Sequence, residues 1–228
     1  MKTDTPQTIY LKDYTAPAFL IDTVDLDFSI DKDSTTVTAT LAMRRNPSVA
    51  GQSLVLDGEE LETLTVTVDG EKVAFSETPS SLTIDNLPDA FQLQTVVRIQ
   101  PDNNTRLSGM YRSKDGYFTQ CEAQGFRRIT WFLDRPDVMS TYTVTLHADK
   151  LTYPVLLANG NPAASGEEAD GRHWATWNDP FRKPAYLFAV VAGKLDVLRD
   201  TFRTASGRDV QLAIYVEPGK LDQCPHAM

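Results

Sequence analysis

The sequence has little of what several functional classes require. Its 228 residues include three histidines and 22 Lys plus Arg against 31 Asp plus Glu, which gives a formal net charge of -9. An acidic surface repels a phosphate backbone, so we expect no nucleic acid as a partner. The longest apolar stretch, residues 185–193, is far shorter than the roughly 18 residues of a membrane span, so we expect no membrane anchor.

Cysteine is also scarce, since Cys121 and Cys224 are the only two. The first residues, MKTDTPQTIYLKDY, contain no apolar run of the kind found in signal peptides. Both features favour a reducing compartment, and we expect a cytoplasmic protein. The carboxylate of Glu122 would raise the pKa of the Cys121 thiol, so Cys121 is predicted to be a buried apolar residue and not a nucleophile.

The common catalytic motifs are missing as well. The chain has no H-E-x-x-H zinc motif, no G-x-S-x-G nucleophile turn and no Gly-rich phosphate loop. Its histidines, His147, His173 and His226, are widely separated, and none has a second ligand at metal-binding spacing. We therefore predict no metal ligand and no catalytic residue in this chain, and structural roles for His147 and His173.

Alternating apolar and polar residues are abundant, and they indicate β-strands. Residues 23–30 and 35–43 alternate on either side of the turn sequence DKDS, which predicts a hairpin. Residues 64–68 and 72–75 flank Asp69-Gly70, a dipeptide suited to a type I′ turn. Further strands are predicted at residues 81–84, 91–99, 117–122, 142–148 and 186–191. The expected fold is all-β, a sandwich or a pair of packed sheets.

Two segments interrupt this pattern. Residues 123–139 contain Pro136 and are predicted to form a loop with one short helical turn, and residues 159–173 are predicted to form an exposed loop. After Gly193 the pattern changes to two strands, at 194–204 and 209–216, followed by a Pro-containing tail. We place a domain boundary near Gly193.

The stretch FTQCEAQGFRR is the most informative polar segment. If residues 117–122 form a strand, Gln120 and Glu122 share one face and Cys121 turns to the other. Glu122 could pair with Arg127 or Arg128, or it could anchor a cation. In the nearby DRPD sequence, Asp134 is interpreted as a scaffold residue rather than a catalytic one. It would accept turn amides or pair with Arg127 and so hold the strand from Gln120 to Glu122 in place.

Longer segments carry a family resemblance. The sequences TQCEAQGFRRITWFLDRPDVMSTYTVTL, YPVLLANGN, GRHWATWNDPFRKPAYLFAVVAG and DVLRDTF resemble the N-terminal region of the bacterial aminopeptidase N family, which are zinc-dependent M1-type (gluzincin) aminopeptidases. The similarity covers nearly the whole chain and is densest over residues 119–193. It implies that residues 1–193 form a saddle-shaped, β-sandwich-like N-terminal domain. Residues 194–228 would be the first strands of a truncated, thermolysin-like catalytic domain.

The resemblance also implies a function. Glu122 matches the glutamate that binds the free α-amino group of the substrate, and Gln120 matches the glutamine that lines the S1 pocket for the first side chain. The full-length enzyme would use zinc to remove N-terminal amino acids from peptides in peptide catabolism, and its partners would be peptide N-termini and its own C-terminal catalytic domain. The zinc ligands lie downstream in the family, so this chain alone is expected to bind no zinc and to be inactive.

One alternative from another class stays open at this point: a stand-alone β-sandwich module that binds a peptide or a carbohydrate. The aminopeptidase interpretation makes a further prediction about residues 194–228. Without their partner strands they should present exposed edges or pair in a non-native way, which would promote self-association.

Overall fold

The computed structural model describes residues 8, 10–49 and 53–228, and their secondary structure is almost entirely β. The seventeen strands of this part of the chain are β1 (Phe19–Ile30), β2 (Thr35–Arg45), β3 (Leu54–Asp57), β4 (Glu62–Val68), β5 (Glu71–Lys72), β6 (Ser76–Thr78), β7 (Ser81–Ile84), β8 (Ala90–Ile99), β9 (Gly109–Ser113), β10 (Gly116–Gln120), β11 (Met139–Asp149), β12 (Val155–Ala158), β13 (Asn161–Glu167), β14 (Arg172–Pro184), β15 (Val190–Gly193), β16 (Asp196–Arg203) and β17 (Asp209–Val216). Short 3-10 helices span Leu11–Asp13, Pro101–Asn103, Phe126–Arg128, Ala185–Leu187 and Leu221–Gln223. The predicted all-β class is confirmed. No helix of the described residues is long and apolar enough to cross a bilayer.

The largest sheet has eight strands in the order β13-β14-β11-β1-β2-β8-β4-β5. The predicted first hairpin is confirmed, since β1 and β2 pair antiparallel along their whole length. The alternation that predicted it has a physical cause, because Val24, Leu26 and Phe28 of β1 are buried while Asp25 and Asp27 face solvent. The second predicted turn is also present, with positive φ at both Asp69 and Gly70.

Three smaller sheets complete the arrangement. A four-stranded sheet has the order β12-β15-β10-β9, a three-stranded sheet has the order β3-β7-β6, and β16 and β17 form a separate antiparallel hairpin. The two strands predicted after Gly193 are therefore confirmed. The four-stranded sheet positions the candidate site, because β10 ends at Gln120.

Residues 159–173 were predicted to form an exposed loop, and this is wrong. They contain β13, which pairs antiparallel with β14 at the edge of the eight-stranded sheet. The small residues that suggested a loop are useful there, because the indole of Trp174 lies where a β-carbon on Gly166 would sit. A Gly in that strand thus permits close packing by its cross-strand neighbour.

Three predicted strand boundaries are also wrong. The strand at 117–122 ends at Gln120, because residues 122–125 turn. In place of the strand predicted at 186–191, the chain forms the 3-10 helix Ala185–Leu187 followed by β15. The strand predicted at 72–75 is only the two-residue β5. The predicted loop at 123–139 is confirmed, and its helical turn is the 3-10 helix Phe126–Arg128.

That helical turn is anchored in the core by Phe126. The ring of Phe126 is fully buried and packs edge-on against Phe132, Phe188 and Tyr142, with ring centroids 4.7, 5.0 and 6.3 Å away. Such edge-to-face pairs add to the burial energy of the rings. The polar segment between β10 and Phe126 is therefore fixed to the core immediately downstream.

Candidate functional site

Gln120 and Glu122 lie at the point where β10 becomes a turn. Gln120 is the last residue of β10 and pairs with Gly109 of β9, while Glu122 begins the turn that Gly125 closes by donating its main-chain N–H to Cys121 O at 2.8 Å. The side chains of Gln120 and Glu122 are both exposed. The amide of Gln120 donates from Nε2 to the main-chain oxygen of Glu122 at 3.2 Å. The two residues are thus neighbours, although Glu122 lies beyond the strand.

The carboxylate of Glu122 has no hydrogen bond or ion pair within the described part of the chain. The interpretation that paired it with Arg127 or Arg128 is wrong, because both arginines have other partners. Arg128 is buried and pairs with Glu59, at 2.8 Å, and with Glu60. Glu122 therefore has an unpaired negative charge at the surface, as an anchor for an external cation requires.

Arg127 pairs with Asp134 in an almost fully buried contact. Asp134 Oδ2 accepts hydrogen bonds from Arg127 N at 3.1 Å and Arg127 Nε at 3.0 Å, and only 3% of the Asp134 side chain is exposed. Arg127 Nη2 also donates to the main-chain oxygen of Asp134 at 3.1 Å. The predicted scaffold contacts of Asp134 are confirmed.

Sequence reasoning missed the segment that completes this network, the connection from β3 to β4. Asp57 Oδ1 lies 3.7 Å from Arg127 Nη1, and Asp57 Oδ2 accepts the main-chain N–H of Asp134 at 3.1 Å. Burial raises the pKa of Asp57, a shift that the Arg127 charge opposes. The acidic run DGEE at residues 57–60 was the available signal in the sequence, since its carboxylates could be matched to the neighbouring arginines Arg127 and Arg128.

A cavity of about 430 Å³ opens beside Glu122. Its lining residues are Glu122, Ala123, Gln124, Asp134, Arg135, Pro136 and Tyr186. The guanidinium of Arg135 is held by both carboxylate oxygens of Asp137 at 2.6 Å, and it also donates to Thr15 O at 2.7 Å. Glu122 is consequently the acidic side chain of this cavity that is both exposed and without a partner among the described residues.

Cys121 fits its predicted role but for a different reason. The thiol is buried, and burial raises its pKa well above the ordinary value, with a smaller contribution from Asp134. Glu122, which the sequence predicts to cause this shift, is not its source, and its side chain is exposed. A buried thiol of this kind is an inert apolar filler.

The described residues do not fit a zinc site. His147 contacts Glu168 through Nδ1 at 2.5 Å and Asp27 through Nε2 at 3.2 Å, and His173 Nε2 lies 2.8 Å from the main-chain oxygen of Tyr153. Both rings are thus used in protein contacts. Over residues 8, 10–49 and 53–228, no group of three or more His, Cys, Asp and Glu side chains is placed to hold a metal ion.

The fold and this turn define a β domain that presents a free carboxylate beside a surface cavity. Sequence similarity then assigns the family. Residues 20–187 match the Peptidase M1 N-terminal domain, and the chain belongs to that family. The family resemblance inferred from the sequence is therefore confirmed.

The relatives extend far beyond this chain. It is 50% identical over 228 residues to aminopeptidase N of Escherichia coli (strain K12), and 48% identical over 231 residues to aminopeptidase N of Caulobacter vibrioides. These matches cover 99% and 100% of this chain but 26% of either relative. The chain thus spans about a quarter of the length of the curated relatives that it matches.

Solved structures agree with the fold. The structure of Legionella pneumophila aminopeptidase A in complex with aspartic acid matches with a TM-score of 0.91 and 32% identity, over 95% of this chain and 26% of that one. An M1 zinc metallopeptidase from Deinococcus radiodurans matches with a TM-score of 0.75 and 16% identity, over 89% of this chain and 48% of that one. The latter similarity concerns the fold alone.

Proposed function

We propose that this chain is the N-terminal part of a zinc aminopeptidase that removes N-terminal amino acids from peptides. Glu122 anchors the free α-ammonium group of the substrate, and Gln120 lines the S1 pocket for the first side chain. The observation that carries the proposal is the unpaired, exposed carboxylate of Glu122 beside Gln120 at the end of β10. Membership in the M1 N-terminal domain family supports the same conclusion.

The binding energy of this anchor depends on what covers it. An exposed carboxylate gains at most about 1 kcal/mol from an ammonium group, because water screens the pair. At an effective dielectric constant of about 20 the same pair at 4 Å gains roughly 4 kcal/mol before desolvation. A catalytic domain closing over Glu122 would therefore create the affinity that this surface lacks alone.

The domain assignment belongs to the same proposal. Residues 1–193 form the N-terminal β domain, and residues 194–228 are the first strands of the catalytic domain. Two observations support this division: the family match ends at residue 187, and β16 and β17 have no partner strand other than each other within the described residues.

Zinc and its chemistry would come from the remainder of the full-length enzyme, since the residues described above offer no site for the metal. The 228-residue chain alone should therefore be inactive, and we expect no hydrolysis of aminoacyl anilides by the purified chain. A stand-alone binding module is not favoured, because the curated relatives are aminopeptidases of much greater length. The acidic net charge and the cytoplasmic location expected from the sequence are compatible with the proposal.

The test is Glu122→Gln in the full-length enzyme, which removes the charge and preserves the shape. We expect kcat/KM on an aminoacyl anilide to fall about 10- to 1,000-fold, the range that corresponds to a loss of 1.4 to 4 kcal/mol. Glu71→Gln is the matched control, because Glu71 is an exposed carboxylate on the edge strand β5. A Glu122→Gln enzyme with kcat/KM within twofold of the wild type would exclude Glu122 from the site.

A further inference from the structure

A buried ion pair supports the turn that carries Glu122. Asp134 and Arg127 are joined by three hydrogen bonds, two to the carboxylate of Asp134 and one to its main-chain oxygen. Only 17% of the Arg127 side chain and 3% of the Asp134 side chain are exposed. Charge-assisted hydrogen bonds in such a position are stronger and more restrictive than surface pairs.

The connection from this pair to Glu122 is short. The turn begins at Glu122, closes when Gly125 N–H donates to Cys121 O, and continues directly into the 3-10 helix that contains Arg127. Asp134 binds the main-chain N–H of Arg127 as well as its side chain. The carboxylate of Asp134 therefore helps to fix the backbone downstream of Glu122, together with the buried ring of Phe126.

Asp134 also lies on the same side of the molecule as Glu122, since both residues line the cavity described above. Its carboxylate is nevertheless covered, so it is poorly placed to contact a substrate itself. An effect of Asp134 on substrate binding would have to pass through the turn. That separates the role of Asp134 from that of a direct ligand.

We propose that Asp134 is a positioning residue for substrate binding, which holds the carboxylate of Glu122 in place through Arg127. The inference rests on the proposed role of Glu122 as the ammonium anchor. It predicts that Asp134 controls how well the substrate amine is bound rather than how fast the bound substrate reacts. Loss of the Asp134 charge should therefore raise KM and leave kcat nearly unchanged.

Asp57 provides a matched control within the same network. Its contact with Arg127 is longer, at 3.7 Å, and 39% of its side chain is exposed. Asp57→Asn leaves Arg127 its nearest carboxylate, Asp134 at 3.0 Å, and the new amide oxygen can still accept the N–H of Asp134, so the geometry around Asp134 should persist. Asp134→Asn instead removes the charge nearest to Arg127, whose side chain is only 17% exposed. Asp134→Asn and Asp57→Asn make the same chemical change to two carboxylates beside one arginine.

The experiment compares Asp134→Asn, Asp57→Asn, Glu122→Gln and the double variant Glu122→Gln/Asp134→Asn in the full-length enzyme. For an aminoacyl anilide we expect Asp134→Asn to raise KM about tenfold, with kcat changed less than about threefold, and Asp57→Asn to change both less than about threefold. The double variant should match Glu122→Gln within about threefold, because a residue that acts through Glu122 has no further effect once the anchor is lost. Thermal unfolding of each variant shows whether it is folded.

Three results would overturn the inference: an unchanged KM in Asp134→Asn, a loss confined to kcat, or multiplicative effects in the double variant. If Asp134→Asn does not fold, Arg127→Lys serves instead, since it keeps the charge but loses the bond from Nη2 to Asp134 O. Its KM should also rise, and an unchanged KM would count against the inference. If Glu122→Gln itself has no effect, the proposed function fails; if Glu122→Gln is impaired and Asp134→Asn is not, only the role of Asp134 fails.

Discussion

Gly125 packs directly against the main-chain carbonyl of Gln120. A β-carbon at position 125 would overlap Gln120 O and lie 2.9 Å from both Gly109 N and Ser108 Oγ. The backbone of Gly125 has φ near -100°, which any residue can adopt, so space rather than conformation requires glycine there. The turn at Glu122 can thus fold back onto β10 and β9 only because position 125 has no side chain.

The first prediction follows from this contact. Gly125→Ala should lower the free energy of unfolding by about 1–3 kcal/mol, because the backbone of β9 or β10 must move to admit the methyl group. Gly193→Ala is the control, since a β-carbon there would meet Gly116 Cα at 3.4 Å and Leu195 Cγ at 3.9 Å, which are ordinary contacts. Urea unfolding of both variants measures the difference, and equal stabilities would show that the turn relaxes freely.

The strands with strict alternation were predictable because one side of each is buried. In β2 and β11, and in β1 from Val24 onward, the buried residues recur at every second position, as the two-residue period of a strand requires. The alternation in β1 breaks once, at the register shift between Ile21 and Thr23. The edge strand β13 was missed because it is exposed along nearly all of its length, so its sequence NPAASGE has no alternation to reveal it. Its pairing depends on β14, which is a property of the fold and not of the segment.

The candidate site was predicted in part. The residue types and spacing of Gln120 and Glu122 suggested a polar face, whereas the turn that begins at Glu122 depends on the close approach of Gly125 to Gln120. The partners of Arg127 and Arg128 could not be chosen from local sequence, because Asp57, Glu59 and Glu60 are distant along the chain. The closeness of Glu122 to Arg127 and Arg128 in the sequence suggested an ion pair, but the fold does not form it.

The second prediction concerns the pH dependence of the Asp137 interaction. Hydrogen bonds from Arg135 lower the pKa of Asp137, and Tyr14 donates a further bond at 2.9 Å. The pKa of Asp137 is thus lower in the folded chain than in the unfolded chain. The ionised carboxylate therefore stabilises the fold at any pH above the unfolded-state pKa, and this stabilisation is lost as the pH falls through the folded-state pKa. Asp137→Asn should cost about 1 kcal/mol at pH 7 and progressively less below pH ~4.

The measurement is urea unfolding of the wild type and Asp137→Asn at several pH values. Asp33→Asn is the control, because it makes the same change at an exposed position in the β1–β2 turn. Its effect should be near zero throughout. A cost for Asp137→Asn that stays constant down to the lowest pH would contradict the electrostatic explanation.

The third prediction concerns a buried ion pair. Lys183 Nζ lies 2.8 Å from Asp179 Oδ2 and 3.7 Å from the ring centroid of Tyr142, yet it makes no well-directed hydrogen bond. Removing one partner leaves an uncompensated charge, so Lys183→Met should destabilise the fold by about 1–3 kcal/mol. The double variant Lys183→Met/Asp179→Asn should recover most of that loss, because neither charge then remains to be desolvated.

The same lysine gives a pH signature. Burial lowers the pKa of Lys183 in the folded chain. At a pH between this lowered pKa and the ordinary pKa of a lysine, the unfolded chain therefore binds more protons than the folded chain. The stability of the wild type relative to Lys183→Met should therefore rise as pH increases through that interval. A difference that is independent of pH on the alkaline side would show that burial does not perturb Lys183.

The last prediction concerns the hairpin of β16 and β17. Leu198, Phe202, Leu212 and Ile214 lie on one face of it, because Leu198 pairs with Ile214 and Phe202 pairs with Val210 in the register. None of the four is buried, and 57% of Phe202 is exposed. Asp200 shares this face, opposite Leu212. A largely apolar face, on a hairpin whose outer edges have no partner strand among the described residues, favours association between copies, so the 228-residue chain should self-associate as its concentration rises.

Sedimentation velocity or solution scattering over a concentration series measures this association. Phe202→Lys should shift the chain toward the monomer, because it replaces the most exposed apolar side chain of this face with a charge. Phe181→Lys is the matched control, since Phe181 is equally apolar and even more exposed but lies on β14, outside the hairpin. A strict monomer at all concentrations, or an equal effect of the two substitutions, would show that the face of β16 and β17 does not drive association.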